Sequence, residues 1–480
     1  MARLTGAPAY APAMPSAPLK MRRMAPRRRD LLAGLNNWAS RGILLLPLYY
    51  VALTFDMMLL RDGQITSSYI DEIFLIVIGL AMLPGITRIN PEVRKVLTIY
   101  GLFTLICVVA AAFNGLERYD PEYPRWLAAA VGVVLDAKTI IGVMGFACMI
   151  QNLKTDAAIR VALTVIVGIA LLNVPFLLRD IVMGGNSLYG EPLRLRNFFV
   201  QPQGFYLFVV DSADLMIIAA FAAAAMYIST MRAMWMAIWL GLSFMTLIHF
   251  SVKESVAIVV CTGIIAMSIP FKNARMRTYV RVFFIGLGAV AAFPLALFVL
   301  PVISDRLTEY VGGDLGDTVR TFTYVVAVKI ANDFFPFGSG AGTYASLPSR
   351  DFYFSPLYDI YDLSSMHGAA RHFSGYLMDT FWPKILGEGG WFGLAVYSGM
   401  IVYIFKRAIG NLIGRTDGLN VFCLCVLTTV MIKSFAASVM TQETFVILLG
   451  FCIAYILVHP VMRRVKGRAA PSGRRMVGAR

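Results

Sequence analysis

The chain has 480 residues, 58% of them hydrophobic and 15% charged, with a mean hydropathy of +0.69 and a formal net charge of +15. A water-soluble fold of that composition would leave large apolar patches exposed, so a membrane protein is the expected class. The positive balance does not imply nucleic acid, because Arg27-Arg28-Arg29 and Arg463-Arg464 abut apolar stretches and lack interleaved aromatics.

In chain order, residues 1–40 are rich in Ala, Pro and Arg and hold nothing that would form a core, which predicts a disordered basic tail. Arg27 to Leu32 loosely resembles a twin-arginine export signal, but the run that follows is long and has no small-residue cleavage site, so an uncleaved first span is expected. Twelve apolar runs follow, near 42–60, 72–87, 96–114, 127–150, 158–180, 205–228, 232–249, 255–270, 280–302, 384–405, 420–438 and 443–459. Each approaches the ~20 residues that a helix needs to cross the hydrocarbon core. Unbroken Leu, Ala, Ile and Met favour helices over the alternating strands of a barrel. The expected fold is therefore an all-α polytopic membrane protein with about 12 transmembrane helices.

Lys and Arg gather before the first run, after the last and in alternate connections, which predicts cytoplasmic termini. The two long connections, 181–204 and 304–383, then fall outside the cytoplasmic membrane. Residues 41–459 form one expected membrane body that includes the loop 304–383 between helices 9 and 10, and 460–480 a second basic tail. All six cysteines lie within apolar runs, as small buried hydrophobes would, and imply no disulfide framework.

Within the larger connection, Val319, Phe322, Val326 and Ile330 recur at helical spacing and predict a helix lying along the membrane surface. Gly338, Gly340 and Gly342 follow at alternate positions. They permit positive φ and close backbone approach, so the turn could host a ligand, although the Lys-Ser/Thr of a phosphate-binding loop is missing. Trp126, Trp382 and Trp391 are placed as interfacial anchors.

Charges near hydrocarbon ask for a partner or a purpose. Asp136 and Lys138 stand two apart in the fourth run, on different helix faces, and should pair with other helices. Asp56, Asp211, Asp214, Lys253, Glu254 and Lys433 form a polar set near outer helix ends, either an ion-pair network or the wall of a site. Arg194, Arg196, Arg320 and Arg371, with Lys384, belong to the outer face. Arginine's planar fork suits the oxygens of a diphosphate, and pairing with carboxylates or lipid headgroups is the plainer alternative. Acid–base candidates are His367, His372, Asp379 and Glu388, while His249 and His459 read as interfacial. No zinc-ligand spacing and no Gly-x-Ser-x-Gly elbow occurs, so neither metal nor cofactor is expected.

The run Asp317-Thr-Val-Arg320, the Phe335–Gly342 segment and Asp379-Thr-Phe-Trp-Pro-Lys-Ile-Leu-Gly-Glu388-Gly-Gly-Trp-Phe-Gly393 resemble the O-antigen ligase and Wzy-type polysaccharide polymerase superfamily. The likeness extends to Leu193-Arg194-Leu-Arg196-Asn-Phe-Phe and Ser251-Val-Lys253-Glu254-Ser255. It implies a multi-helix membrane glycosyltransferase in which Arg196 or Arg194, with Arg320, holds the diphosphate of an undecaprenyl-linked oligosaccharide, and in which Lys253 stands where arginine is common. Ligases typically carry a histidine about nine residues before the position of Glu388. Here that position is Asp379, which favours a polymerase, although His367 and His372 could still fold into the site.

The resemblance thus implies an inverting, metal-independent enzyme of the inner membrane that joins undecaprenyl-diphosphate-linked repeat units into a surface or exopolysaccharide on the periplasmic face. Membrane lipids are its expected surroundings, nucleic acid is not an expected partner, and a chain-length regulator or other polysaccharide-assembly proteins are compatible partners. A ligase transferring a finished glycan, and a lipid-linked oligosaccharide flippase or other transporter, are the alternatives. A transporter should carry its charges through the midplane. Asp379 is also positioned to cap the helix that follows it.

Overall fold

The computed structural model describes residues 38–59, 70–83, 89–153, 156–188, 192–193, 195–196, 199–206, 208–249, 251–270, 279, 319–414 and 417–468. The run 280–302, the stretch 304–318 and the segments 1–37 and 469–480 lie outside them. The helices in chain order are α1 (Trp38–Ile43), α2 (Leu45–Leu59), α3 (Ile70–Met82), α4 (Pro91–Phe113), α5 (Arg125–Gln151), α6 (Ala157–Met183), α7 (Val209–Thr230), α8 (Ala233–Ile248), α9 (Val252–Ser268), α10 (Val319–Asp333), α11 (Pro356–Ile360), α12 (Trp382–Gly414), α13 (Gly418–Ser434) and α14 (Glu443–Arg468). Between α6 and α7 a minimal antiparallel pair, β1 (Leu195–Arg196) and β2 (Phe199–Val200), sets Arg196 opposite Phe199.

Apart from 280–302, each apolar run overlaps one or two of these helices, and the run 420–438 leaves its helix at Ser434. Among the described residues six helical segments, Trp38–Phe55, Pro91–Arg118, Arg125–Gln151, Ala157–Met183, Val209–Thr230 and Trp382–Ile413, are long and apolar enough to cross a membrane. The chain is a helical protein of membrane type. The last helix continues to Arg468, past the end of its apolar run and into the segment expected to be a tail.

Small residues set the helix packing. A Cβ on Gly450 of α14 would lie 2.9 Å from the Cα of Gly142 on α5, and one on Gly145 would lie 2.7 Å from the carbonyl oxygen of Ile78 on α3. Close backbone approach of this kind supplies dispersion contact where lipid offers no hydrophobic gain. The alanine-rich α7 is buried along nearly its whole length and packs against α6, α8 and α13.

A second apolar core forms over the segment that begins at α10. Val319, Phe322, Val326 and Ile330 are buried together with Tyr344, Tyr358 and Leu377 of the following turns. The helical spacing is as expected, but the apolar face is covered by protein, because the chain from 340 to 377 folds back over it. The apolar stripe of α10 is thus spent on protein packing.

The alternate glycines serve this docking. Gly338, Gly340 and Gly342 adopt positive φ of 74°, 100° and 75°. A side chain on Gly340 would strike the backbone of Ala111 in α4, and one on Gly342 the carbonyl of Ala128 in α5. The N–H groups of Ser339 and Gly340 donate to the carbonyls of Gly387 and Glu388, each at 2.9 Å, where α12 is interrupted at Gly390 (φ 62°). The close approach expected for a ligand is thus made to the protein's own backbone.

Candidate functional site

Some of the sequence candidates border a short strap, residues 434–438, that begins the link from α13 to α14. Backbone groups of this strap hold three elements. The Ser434 carbonyl accepts the N–H of Phe381 at 3.3 Å and its hydroxyl accepts the Trp382 indole N–H at 2.9 Å. The Phe435 carbonyl accepts the Tyr324 hydroxyl of α10 at 2.9 Å, and the Ala436 carbonyl accepts Lys253 Nζ of α9 at 3.4 Å. Ser438 donates back to the carbonyl of Met378. Burial pushes the Tyr324 phenol up to about 12, so it remains a donor throughout the physiological range.

On this frame Arg320, in the first turn of α10, meets Asp379, in the turn before α12. Asp379 Oδ2 receives Arg320 Nη2 at 2.6 Å and Nε at 3.1 Å. The neighbouring hydroxyls Thr323 and Thr380 are 3.3 Å apart and buried. The pair itself is partly open, with the two side chains 49% and 31% exposed, so it contributes only about 0–1 kcal/mol to stability. Of the predicted residues, Arg320 and Asp379 are thus in direct contact, and Lys253 reaches the same strap at the Ala436 carbonyl.

The others are placed differently. Arg371 pairs with Asp359 at 3.0 Å and stacks 5.0 Å over Phe354. His367 and His372 are exposed, and among the described residues neither hydrogen-bonds to the Arg320–Asp379 pair. Arg194 lies outside the described residues, and for Arg196 the backbone alone is described. No N–H of α12 among the described residues bonds to the Asp379 carboxylate, whose partner is Arg320 instead of the helix end.

Beneath the strap, charges are buried and paired. Lys433 reaches Asp214 of α7 and Glu254 of α9, the latter at 2.6 Å, with all three side chains almost wholly buried. Ser251 donates to Glu254, and Thr444 lies 3.5 Å from Asp211. Asp136 pairs with Lys384 of α12, while Lys138 turns to Asp71, at 2.8 Å, and Glu72 on α3. The two charges of α5 thus find different helices, as their spacing predicts. The side chain of Asp56 lies outside the described residues. Glu388 is buried under the glycine segment and accepts the Tyr344 N–H at 3.3 Å.

Two positioning residues were missed in the sequence. Asp180 accepts the N–H groups of Gln203 and Gly204 at 3.0 and 2.8 Å, and Asn173 accepts that of Phe205 at 2.9 Å. Together they fix the stretch that leads from β2 into α7. The available signal was the presence of uncompensated polar side chains late in the apolar run 158–180. Of the expected anchors, Trp382 and Trp391 spend their indole N–H on Ser434 and on Asn332, each at 2.9 Å, while Trp126 is exposed.

No family model matches the chain, and neither does any curated protein.

Proposed function

We propose that the chain is an inverting, metal-independent glycosyltransferase that polymerises undecaprenyl-diphosphate-linked oligosaccharide repeat units on the periplasmic face of the inner membrane. In this reading the bundle has about 12 spans, both termini are cytoplasmic and the Arg320–Asp379 pair faces the periplasm. The observation that carries the proposal is the joint placement of Arg320, Asp379 and Lys253 around the 434–438 strap. A diphosphate needs cations and an acceptor hydroxyl needs a base, and here Arg320 and Asp379 are in direct contact while Lys253 is held on the same strap.

The weak, partly exposed pair suits an exchange. The diphosphate takes the Arg320 fork, with Lys253 beside it, and the Asp379 carboxylate is released. The acceptor hydroxyl then attacks the anomeric carbon while its proton passes to Asp379. The bond from that carbon to the phosphate oxygen breaks, and its electron pair leaves with the diphosphate. A single displacement inverts the anomeric centre, and fixed cations stabilise the departing charge.

Asp136 and Lys138, the charges that would best have served a transport path, are each bound to a partner on another helix, which favours the enzyme over a transporter. The test is glycan analysis of a deletion strain. Loss of polymer with lipid-linked single repeat units retained supports polymerisation. Full-length polymer left on the lipid carrier supports ligation instead, and single units trapped at the cytoplasmic face support transport.

A further inference from the structure

Three aromatic side chains stand exposed in a row on the turn that leads into Asp379. The rings of His367 and Phe373 lie 5.3 Å apart at 34°, and Phe373 and Tyr376 lie 5.7 Å apart at 80°. Phe373 and Tyr376 are 43% and 44% exposed. The turn is held firmly: Phe373 N–H donates to the Ala370 carbonyl at 2.9 Å, Tyr376 N–H to Gly368 at 3.0 Å, and Leu377 is buried below as an anchor. Gly368, at φ 93°, lets the Tyr376 ring lie flat where any side chain would collide with it.

Beside the rings are polar groups with defined directions. Arg371 bonds to Asp359 at 3.0 Å. Burial pushes the Asp359 carboxyl up, but the Ser364 hydroxyl and the Arg371 guanidinium outweigh it and hold the group below the usual carboxylate range. Asp379 N–H donates to the Tyr376 carbonyl at 3.2 Å, so the row ends one tight turn from the Arg320–Asp379 pair.

Rigid, water-exposed rings flanked by a fixed ion pair match the two surfaces of a sugar, with C–H faces for stacking and hydroxyls for charged hydrogen-bonding groups. Ordering the site in advance lowers the cost of binding. Asp359 and Arg371 neutralise one another, so the flank of the row offers directed hydrogen-bonding groups and no net charge for a lipid headgroup. We propose that His367, Phe373 and Tyr376, with Asp359 and Arg371, form a saccharide-binding platform that seats the acceptor glycan and delivers its hydroxyl to Asp379. The delivery step rests on the glycosyl-transfer reading, whereas the binding does not.

The test uses the purified full chain in detergent and, as probe, oligosaccharides from partial acid hydrolysis of the producing strain's surface polysaccharide. Saturation-transfer NMR should show contact to sugar C–H protons in the wild type, and Phe373→Leu and Tyr376→Leu should weaken binding by about tenfold or more. Unchanged binding in both would overturn the platform. Phe373→Trp keeps a stacking face and supplies a reporter whose emission should shift on adding the oligosaccharide. A silent indole overturns the proposal even if a Leu variant fails to fold. Quenching of that indole by brominated phosphatidylcholine vesicles, without response to sugar, would assign the row to the membrane. Oligosaccharide binding together with normal polymer in Arg320→Lys would leave the platform standing and remove the diphosphate assignment.

Discussion

Arg320 aims two guanidinium nitrogens at a single oxygen of Asp379, Nη2 at 2.6 Å and Nε at 3.1 Å. Among the described residues no hydrogen bond reaches the other carboxylate oxygen, and the pair is open enough to exchange. Asp379→Asn keeps the size of the side chain but cannot take up the acceptor proton, so polymer should fall below about one hundredth of wild type if general-base catalysis contributes its usual factor. Arg320→Lys keeps the charge without the fork and should lose about tenfold or more. Both proteins should accumulate normally, since a partly exposed pair contributes about 0–1 kcal/mol. The readout is surface polymer by gel and lipid-linked repeat units by mass spectrometry, and near-normal polymer in Asp379→Asn would remove it as the base.

His367→Ala and His372→Ala separate the candidate bases. Neither histidine hydrogen-bonds to the Arg320–Asp379 pair among the described residues, so both variants should keep a large part of their polymerising activity at saturating substrate. A dead His372 variant beside an active Asp379→Asn protein would transfer the base role to histidine and favour a ligase.

Gly340→Ala and Gly342→Ala should damage the protein itself. Each position has positive φ, where a non-glycine residue costs about 1–3 kcal/mol, and each added methyl also meets backbone of a neighbouring helix. The expected outcome is a lower melting temperature in detergent and reduced accumulation. A phosphate- or sugar-binding glycine loop would instead leave stability intact and change affinity alone.

What the sequence made legible follows from periodicity and charge cost. Val319, Phe322, Val326 and Ile330 announce α10 because a helix repeats every 3.6 residues, and Asp136 and Lys138 announce two partners because residues two apart point to different faces. The surroundings of α10 were not legible, since an apolar stripe looks the same whether lipid or protein covers it. The strap at 434–438 was hidden for a different reason: it grips Tyr324 and Lys253 through the carbonyls of Phe435 and Ala436, and a backbone carbonyl leaves no mark on residue type. The target of the alternate glycines was invisible in the same way, because Ala111 and Ala128 present backbone to them.

The proposed topology is testable with single cysteines. Ser365 is exposed, whereas Ser346 is buried and would report burial instead of sidedness. In a variant whose native cysteines are replaced, Ser365→Cys should react with a membrane-impermeant maleimide added to intact spheroplasts. Reaction only after permeabilisation would place the Arg320–Asp379 pair in the cytoplasm and sink the lipid-linked polymerisation scheme.

The buried charges below the strap give a prediction that separates scaffold from site. Lys433 is fully buried and its Nζ serves both Asp214 and Glu254, so Lys433→Met takes from two buried carboxylates the cation that pairs with them directly. Removing one member of a buried ion pair typically costs about 3–5 kcal/mol, because the remaining charge keeps its desolvation penalty and loses its compensation. The variant should therefore accumulate poorly and melt early. Adding Asp214→Asn and Glu254→Gln removes the stranded charges, and this triple variant should recover much of the lost stability while α7, α9 and α13 keep their apolar contacts. If the cluster serves only to join these helices, the recovered protein should also polymerise, because Arg320, Asp379 and the strap carbonyls are untouched. A triple variant as stable as wild type yet inactive would move Lys433 into the site. A single Lys433→Met variant with wild-type melting and accumulation would contradict the burial of the pair.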